Sequence, residues 1–127
     1  MGNRWGRFVG SLIIEVSNGN GRDVVVYQDF RYIDPDGRQW IACKGEVVNG
    51  ASVPRLFWRL MPPFTGKYRR ASVIHDAYCR ARSRGSREVH LMFYRAMRCD
   101  GVGSFQAGLM WLAVRIFGPR FRGGSWK

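Results

Sequence analysis

The feature that most constrains this chain is a change of periodicity near Asn49-Gly50. Before it, Phe8 to Val16 and Val24 to Tyr32 are rich in valine, isoleucine and aromatic residues, the side chains that suit a pleated, half-buried surface. Asn18-Gly19-Asn20-Gly21 between them carries hairpin-turn chemistry. Asp34-Pro35-Asp36-Gly37 supplies a second turn, with Arg38 to Lys44 as the returning strand. This pattern predicts an antiparallel meander of about three strands. After Gly50 the spacing becomes helical. Ser52 can cap and Pro54 can open a short helix to about Leu60, which Pro62-Pro63 stops. Three longer helices follow: about Lys67 to Arg82, then a second that starts after the Ser83-Arg84-Gly85-Ser86 break and runs to about Cys99, then Ser104 to Phe117, ended by Gly118-Pro119.

The expected fold class is therefore α+β, an N-terminal meander packed against three to four helices. A chain of 127 residues can bury one core, so residues 1–127 form a single expected domain. Within it, 1–48 is the meander, 49–120 the helical part and 121–127 a basic tail.

Charge is divided unevenly along the chain. Residues 1–50 hold six Lys/Arg against six Asp/Glu, whereas residues 51–127 hold fifteen against three, so the whole excess of twelve lies in the second part. Eighteen of the 21 basic residues are arginine, whose planar forks suit phosphate, carboxylate and aromatic faces. Arg69, Arg70, Arg80, Arg82, Arg84 and Arg87 are the expected basic surface, facing an acidic protein or a nucleic acid. No arginine-rich run or known nucleic-acid motif selects between the two. Cys43, Cys79 and Cys99 lack Cys-x-x-Cys spacing and are odd in number, which predicts free, small, buried residues rather than a disulfide framework. The longest apolar stretch, Gly108 to Phe117, is broken by Arg115, so neither a membrane span nor a signal peptide is expected.

The chain has two histidines, His75 and His90. On the first long helix Ala71, Ile74, His75, Tyr78, Cys79 and Arg82 share a face, and on the second His90 shares one with Phe93, Tyr94 and Met97. Two antiparallel helices would then bring both histidines to one seam. The residue types allow a metal site from His75, Cys79 and His90, with Asp76 or water as fourth ligand, and a divalent cation is the one cofactor considered. They also allow His75 to act as a general base beside Asp76. The plainer alternative is structural, with His75 and Asp76 bonded to backbone or to Arg55 and Arg69. Ser52 reads as a cap rather than a nucleophile.

The segment Val73-Ile74-His75-Asp76-Ala77-Tyr78 is locally similar to the His-Asp helix of secreted phospholipases A2. That likeness implies a histidine base, a cation held by a loop such as Asn49-Gly50-Ala51-Ser52, and an orienting carboxylate on a neighbouring helix. Here Cys79 stands four residues beyond His75, and His90 stands where the carboxylate is wanted. A wider set, Gly50-Ala51-Ser52-Val53-Pro54, Phe57-Trp58, Pro62-Pro63, Gly66, Tyr68, Ala71, Ile74-His75-Asp76, Ser86-Arg87, Phe93, Ala96-Met97, Gly101 and Ala113 to Gly118, resembles domain-of-unknown-function family 1353. That resemblance implies a phage or prophage origin, a place in the virion or the host cytoplasm, and no established activity. The family often has acidic residues where this chain has Asn49 and His90, and tyrosine where it has Cys79. Those departures favour a non-enzymatic, virion-associated or host-interacting component, docked to other phage proteins or an acidic host protein, oligomeric within an assembly, with Trp5, Trp111, Phe121 and Trp126 as anchors. A metal-assisted hydrolase using His75 and Asp76 and a nucleic-acid-binding protein are the competing expectations.

Overall fold

The computed structural model describes residues 4–16, 24–48, 68–81 and 84–117, without the side chains of 16, 24, 80 and 117. Among these residues six strands come first: β1 (Arg7–Val9), β2 (Ile14–Val16), β3 (Val24–Val26), β4 (Phe30–Ile33), β5 (Gln39–Ala42) and β6 (Val47–Val48). Three helices follow, α1 (Arg69–Ala81), α2 (Ser86–Cys99) and α3 (Ser104–Phe117). The architecture is α+β, as the change of periodicity predicts. The expected Pro54–Leu60 helix and the Asn49, Gly50, Ser52, Pro54 and Trp58 motif lie outside the described residues.

The strands form two three-stranded antiparallel sheets, ordered β1-β4-β5 and β2-β3-β6. Their pairing shows how the expected meander is built. One register runs from Arg7↔Ile33 through Ile14↔Val26 to Val16↔Val24, and a second from Gln39↔Ile33 through Ala42↔Phe30 to Val48↔Val24. About three strands were expected and six are present among the described residues: the first two expected strands are each divided into two, and the third is β5, followed in the same register by β6, with no net insertion on either side. The break has backbone causes: Gly10 and Gly45 sit at φ +87° and +92°, a conformation that glycine adopts without steric cost. The third run accordingly continues past Lys44, the expected end, to Val48.

The turn between β4 and β5 is fixed by Asp34. Its Oδ1 accepts from the backbone N–H of Asp36 and Arg38 at 2.9 and 3.0 Å, while Gly37 at φ +89° closes the loop. Its Oδ2 accepts from Trp40 Nε1 at 3.1 Å. Gly6 holds a tighter position, at φ +101°, where an added Cβ would lie 2.2 Å from the Ile33 carbonyl oxygen. Gly6→Ala is therefore expected to cost about 1–3 kcal/mol through backbone strain, read as a lower urea midpoint at unchanged slope.

The core lies between the sheets and the helices. Phe30, Tyr32, Trp40 and Val48 from the strands meet Ala71, Val73, Ile74, Phe93 and Met97 from α1 and α2. α1 packs on β5, β6 and α2, and α3 packs on α2. Burial surrounds α1, since every residue from Ala71 to Ala77 is buried, and its polar members Ser72, His75 and Asp76 are carried inside with it. None of the helices described is long and apolar enough to cross a membrane.

Candidate functional site

Arg70, near the start of α1, pairs with Asp100 just beyond the end of α2, and His75 meets His90 farther along the same seam. The two helices therefore run antiparallel, as the histidine spacing anticipated. His75 Nε2 and His90 Nδ1 lie 2.9 Å apart. Cys79, one turn beyond His75, places its Sγ 3.6 Å from His75 Nε2. Phe93, one turn beyond His90, stacks on the His75 ring with centroids 4.3 Å apart and planes 26° from parallel, which fixes the imidazole plane.

All three polar residues are buried: His75 fully, His90 at 2% exposure and Cys79 at 5%. Burial, with the His90 imidazole adding to it, holds His75 well below the ordinary histidine pKa. At neutral pH the His75 ring is neutral, with one nitrogen carrying a proton and the other a lone pair. His75, Cys79 and His90 each offer one ligand atom, and these atoms lie within 4.8 Å of one another. The arrangement suits a soft or borderline cation.

A cleft of about 260 Å³ opens beside the seam, lined by Ser86, Arg87, His90 and Arg115. It joins the first turn of α2 to the last turn of α3, and His90 belongs to both the cleft and the buried cluster. A hydrolytic His75 requires access to water; the ring instead has no exposed surface, and the cleft wall is formed by His90. The geometry therefore favours ligation or packing over base catalysis at His75. Asp76 is buried at 1% exposure, on the helix position next to His75.

Tyr78 has a defined structural role. Its hydroxyl oxygen accepts from the Ile41 backbone N–H at 2.9 Å, and its ring meets Trp40 edge-on at 4.9 Å, tying α1 to β5. The expected basic surface is divided. Arg70 lies over the Phe8 ring at 4.1 Å besides pairing with Asp100, and Arg84 lies over Trp40 at 4.2 Å, so both are folded against the protein. Arg69 and Arg87 are exposed, while Arg82 and the Arg80 side chain lie outside the described residues, as does Arg55. Among the described residues no disulfide joins Cys43, Cys79 and Cys99, in line with the expectation, but only Cys79 is buried: Cys99 is half-buried and Cys43 is exposed, because it sits at the turn before β6. Trp5 packs edge-on to Tyr94 at 5.9 Å and Trp111 lies beneath Arg115 at 5.3 Å; Phe121 and Trp126 fall outside the described residues. Sequence reasoning missed Arg115 and Ser86 as neighbours in the cleft, since only the α2–α3 packing brings them together.

Fold and seam define a small α+β domain with a histidine-cysteine cluster between two antiparallel helices. The chain belongs to the family described as protein of unknown function (DUF1353), which matches residues 24–114. Two curated relatives come from Sinorhizobium fredii (strain NBRC 101917 / NGR234). The uncharacterized protein y4jT is 44% identical over 92 residues, covering 72% of this chain and 27% of that protein. The uncharacterized protein y4iH is 36% identical over 119 residues, covering 90% of this chain and 48% of that protein. The chain thus spans less than half the length of either relative. No solved structure matches it.

Proposed function

We propose that this chain is a non-enzymatic docking component, a small basic subunit of a phage-derived or host-directed assembly that binds an acidic protein through α3. One observation carries the reading. α3 buries Ala107, Met110, Ala113 and Val114 against the domain, yet Phe105, Leu109, Leu112 and Ile116 remain 76%, 37%, 47% and 49% exposed. Their spacing of four, three and four residues puts them on a single stripe. A helix apolar on both faces has one face for its own core and one for a partner.

The occupant is argued from charge. The chain carries a net +12, which repels a second copy and selects a partner whose groove is rimmed by carboxylates. In both relatives the matching segment is part of a longer chain, a setting in which such a face has further protein to meet. The hydrolase reading draws less support, because His75 is buried. Direct nucleic-acid binding is weakened by the engagement of Arg70 and Arg84 within the fold.

The test is native mass spectrometry of the chain recovered from its own source, as wild type and as Leu109→Glu/Leu112→Glu. The expected result is a stoichiometric complex with one acidic protein, weakened about a hundredfold or more in the variant while its melting temperature as a monomer is unchanged. A wild type that is monomeric, self-associated or bound to nuclease-sensitive material overturns the reading, and so does a complex indifferent to both glutamates.

A further inference from the structure

We infer that His75, Cys79 and His90 form a binding site for one zinc ion, bridging α1 to α2 through His75 Nε2, Cys79 Sγ and His90 Nδ1. Zinc bonds of about 2.0–2.1 Å to nitrogen and about 2.3 Å to sulfur imply tetrahedral edges of roughly 3.3 Å between nitrogens and 3.6 Å between nitrogen and sulfur. The protein holds His75 Nε2 and His90 Nδ1 at 2.9 Å and His75 Nε2 and Cys79 Sγ at 3.6 Å, and one ligand atom from each of the three residues lies within 4.8 Å of the others. Widening the nitrogen pair by a few tenths of an ångström converts their direct contact into one edge of a coordination tetrahedron.

The surroundings favour ligation at this place. His75 and Cys79 are one turn apart on a 13-residue helix, so their relative position is set by helix geometry alone. The third donor comes from the antiparallel neighbour, and Phe93 stacked on His75 holds the ring plane. A sulfur donor and two imidazoles select zinc over the oxygen-seeking magnesium and calcium ions. Ligation fixes the proton positions: the ring nitrogen that carries the proton of the His75–His90 contact gives it up while the far nitrogen of the same ring takes one from solvent, leaving His75 protonated on Nδ1 and His90 on Nε2, and the Cys79 thiol releases one proton to solvent as the Zn–S bond forms. Zinc with one thiolate leaves a net charge of +1 and one vacant coordination position. A water molecule or small anion completes the set, and the cleft formed by Arg87, His90 and Arg115 is the nearest source of anions.

Zinc binding stands independently of docking through α3, since it uses a different helix pair. The experiment adds Co2+ to the metal-free, reduced full chain and follows the thiolate-to-cobalt charge-transfer band and the visible bands of four-coordinate cobalt. One equivalent is expected to saturate both signals, and Zn2+ is expected to displace it and to raise the melting temperature. Cys79→Ser and His90→Ala are each expected to weaken binding by at least about a hundredfold, beyond the about 10- to 100-fold that loss of an outer partner costs. Circular dichroism confirms that each variant is folded. A natively folded wild type that develops no charge-transfer band, or a band that survives in both variants, overturns the site and makes the cluster a packing contact.

Discussion

Replacing Trp40 with alanine is expected to remove about 3–5 kcal/mol of folding stability, a large fraction of what a domain of this size has to lose. Trp40 is 1% exposed and joins three parts of the fold. Its Nε1–H donates to Asp34 Oδ2 at 3.1 Å, its ring receives the edge of Tyr78 from α1, and Arg84 covers it at 4.2 Å. Truncation leaves a cavity between β5 and α1, and Arg84, whose Nη1 is already buried with no hydrogen-bond partner, loses its aromatic face as well. Trp40→Phe helps separate these effects, because it keeps an aromatic ring and much of the apolar volume while deleting the N–H donor. Asp34 retains two backbone donors in that variant, so a loss nearer 1 kcal/mol is expected. Urea unfolding of both variants decides the matter: equal losses would mean that the Asp34 bond, not the packing, makes Trp40 essential.

The helical half was legible because its punctuation is strong. Ser83-Arg84-Gly85-Ser86 and Asp100 to Ser104 separate three apolar-periodic runs; α3 occupies the expected residues, and α2 ends where expected but begins at Ser86, the last residue of the expected break. The antiparallel strand region was legible but not its division: about three strands were expected, and six form two sheets. A glycine at Gly10 reads the same in sequence whether it sits flat in a strand or at φ +87°, and only tertiary packing decides that the run breaks there. The seam of His75, Cys79 and His90 was visible because three- and four-residue spacing is a property of one helix at a time, and two short helices joined by a tight break must return antiparallel. The cleft was not visible, because Arg87 and Arg115 meet through the crossing of α2 on α3, which no local spacing encodes. The α3 stripe had a signal that was read only as an interrupted apolar stretch: Phe105, Leu109, Leu112 and Ile116 recur at heptad spacing on the face opposite Ala107, Met110 and Val114. Arginine positions gave the least, because Arg70 and Arg84 lie on aromatic rings supplied by distant strands.

Acidification below pH 6.5 is expected to destabilise the metal-free protein through His75 by about 1.4 kcal/mol per pH unit. The sign follows from burial. His75 is neutral in the fold because burial, and then the His90 imidazole, lower its pKa well below 6.5, whereas in the unfolded chain it takes up a proton near its ordinary value. Below that value the unfolded state binds the extra proton, so the stability associated with a neutral His75 is fully present above pH 6.5 and is lost progressively down to the folded pKa. Carboxylates add their own acid dependence, so the informative quantity is the difference between wild type and His75→Gln, in which the buried titrating ring is gone. Urea unfolding across pH 4.5 to 7.5 with a chelator present should give a wild-type curve steeper by one proton's worth of slope over that window. Parallel curves would mean that the ring is protonated and paired inside the fold. The two imidazoles would then share a proton across their 2.9 Å contact, and binding a cation between them would require that proton to leave first.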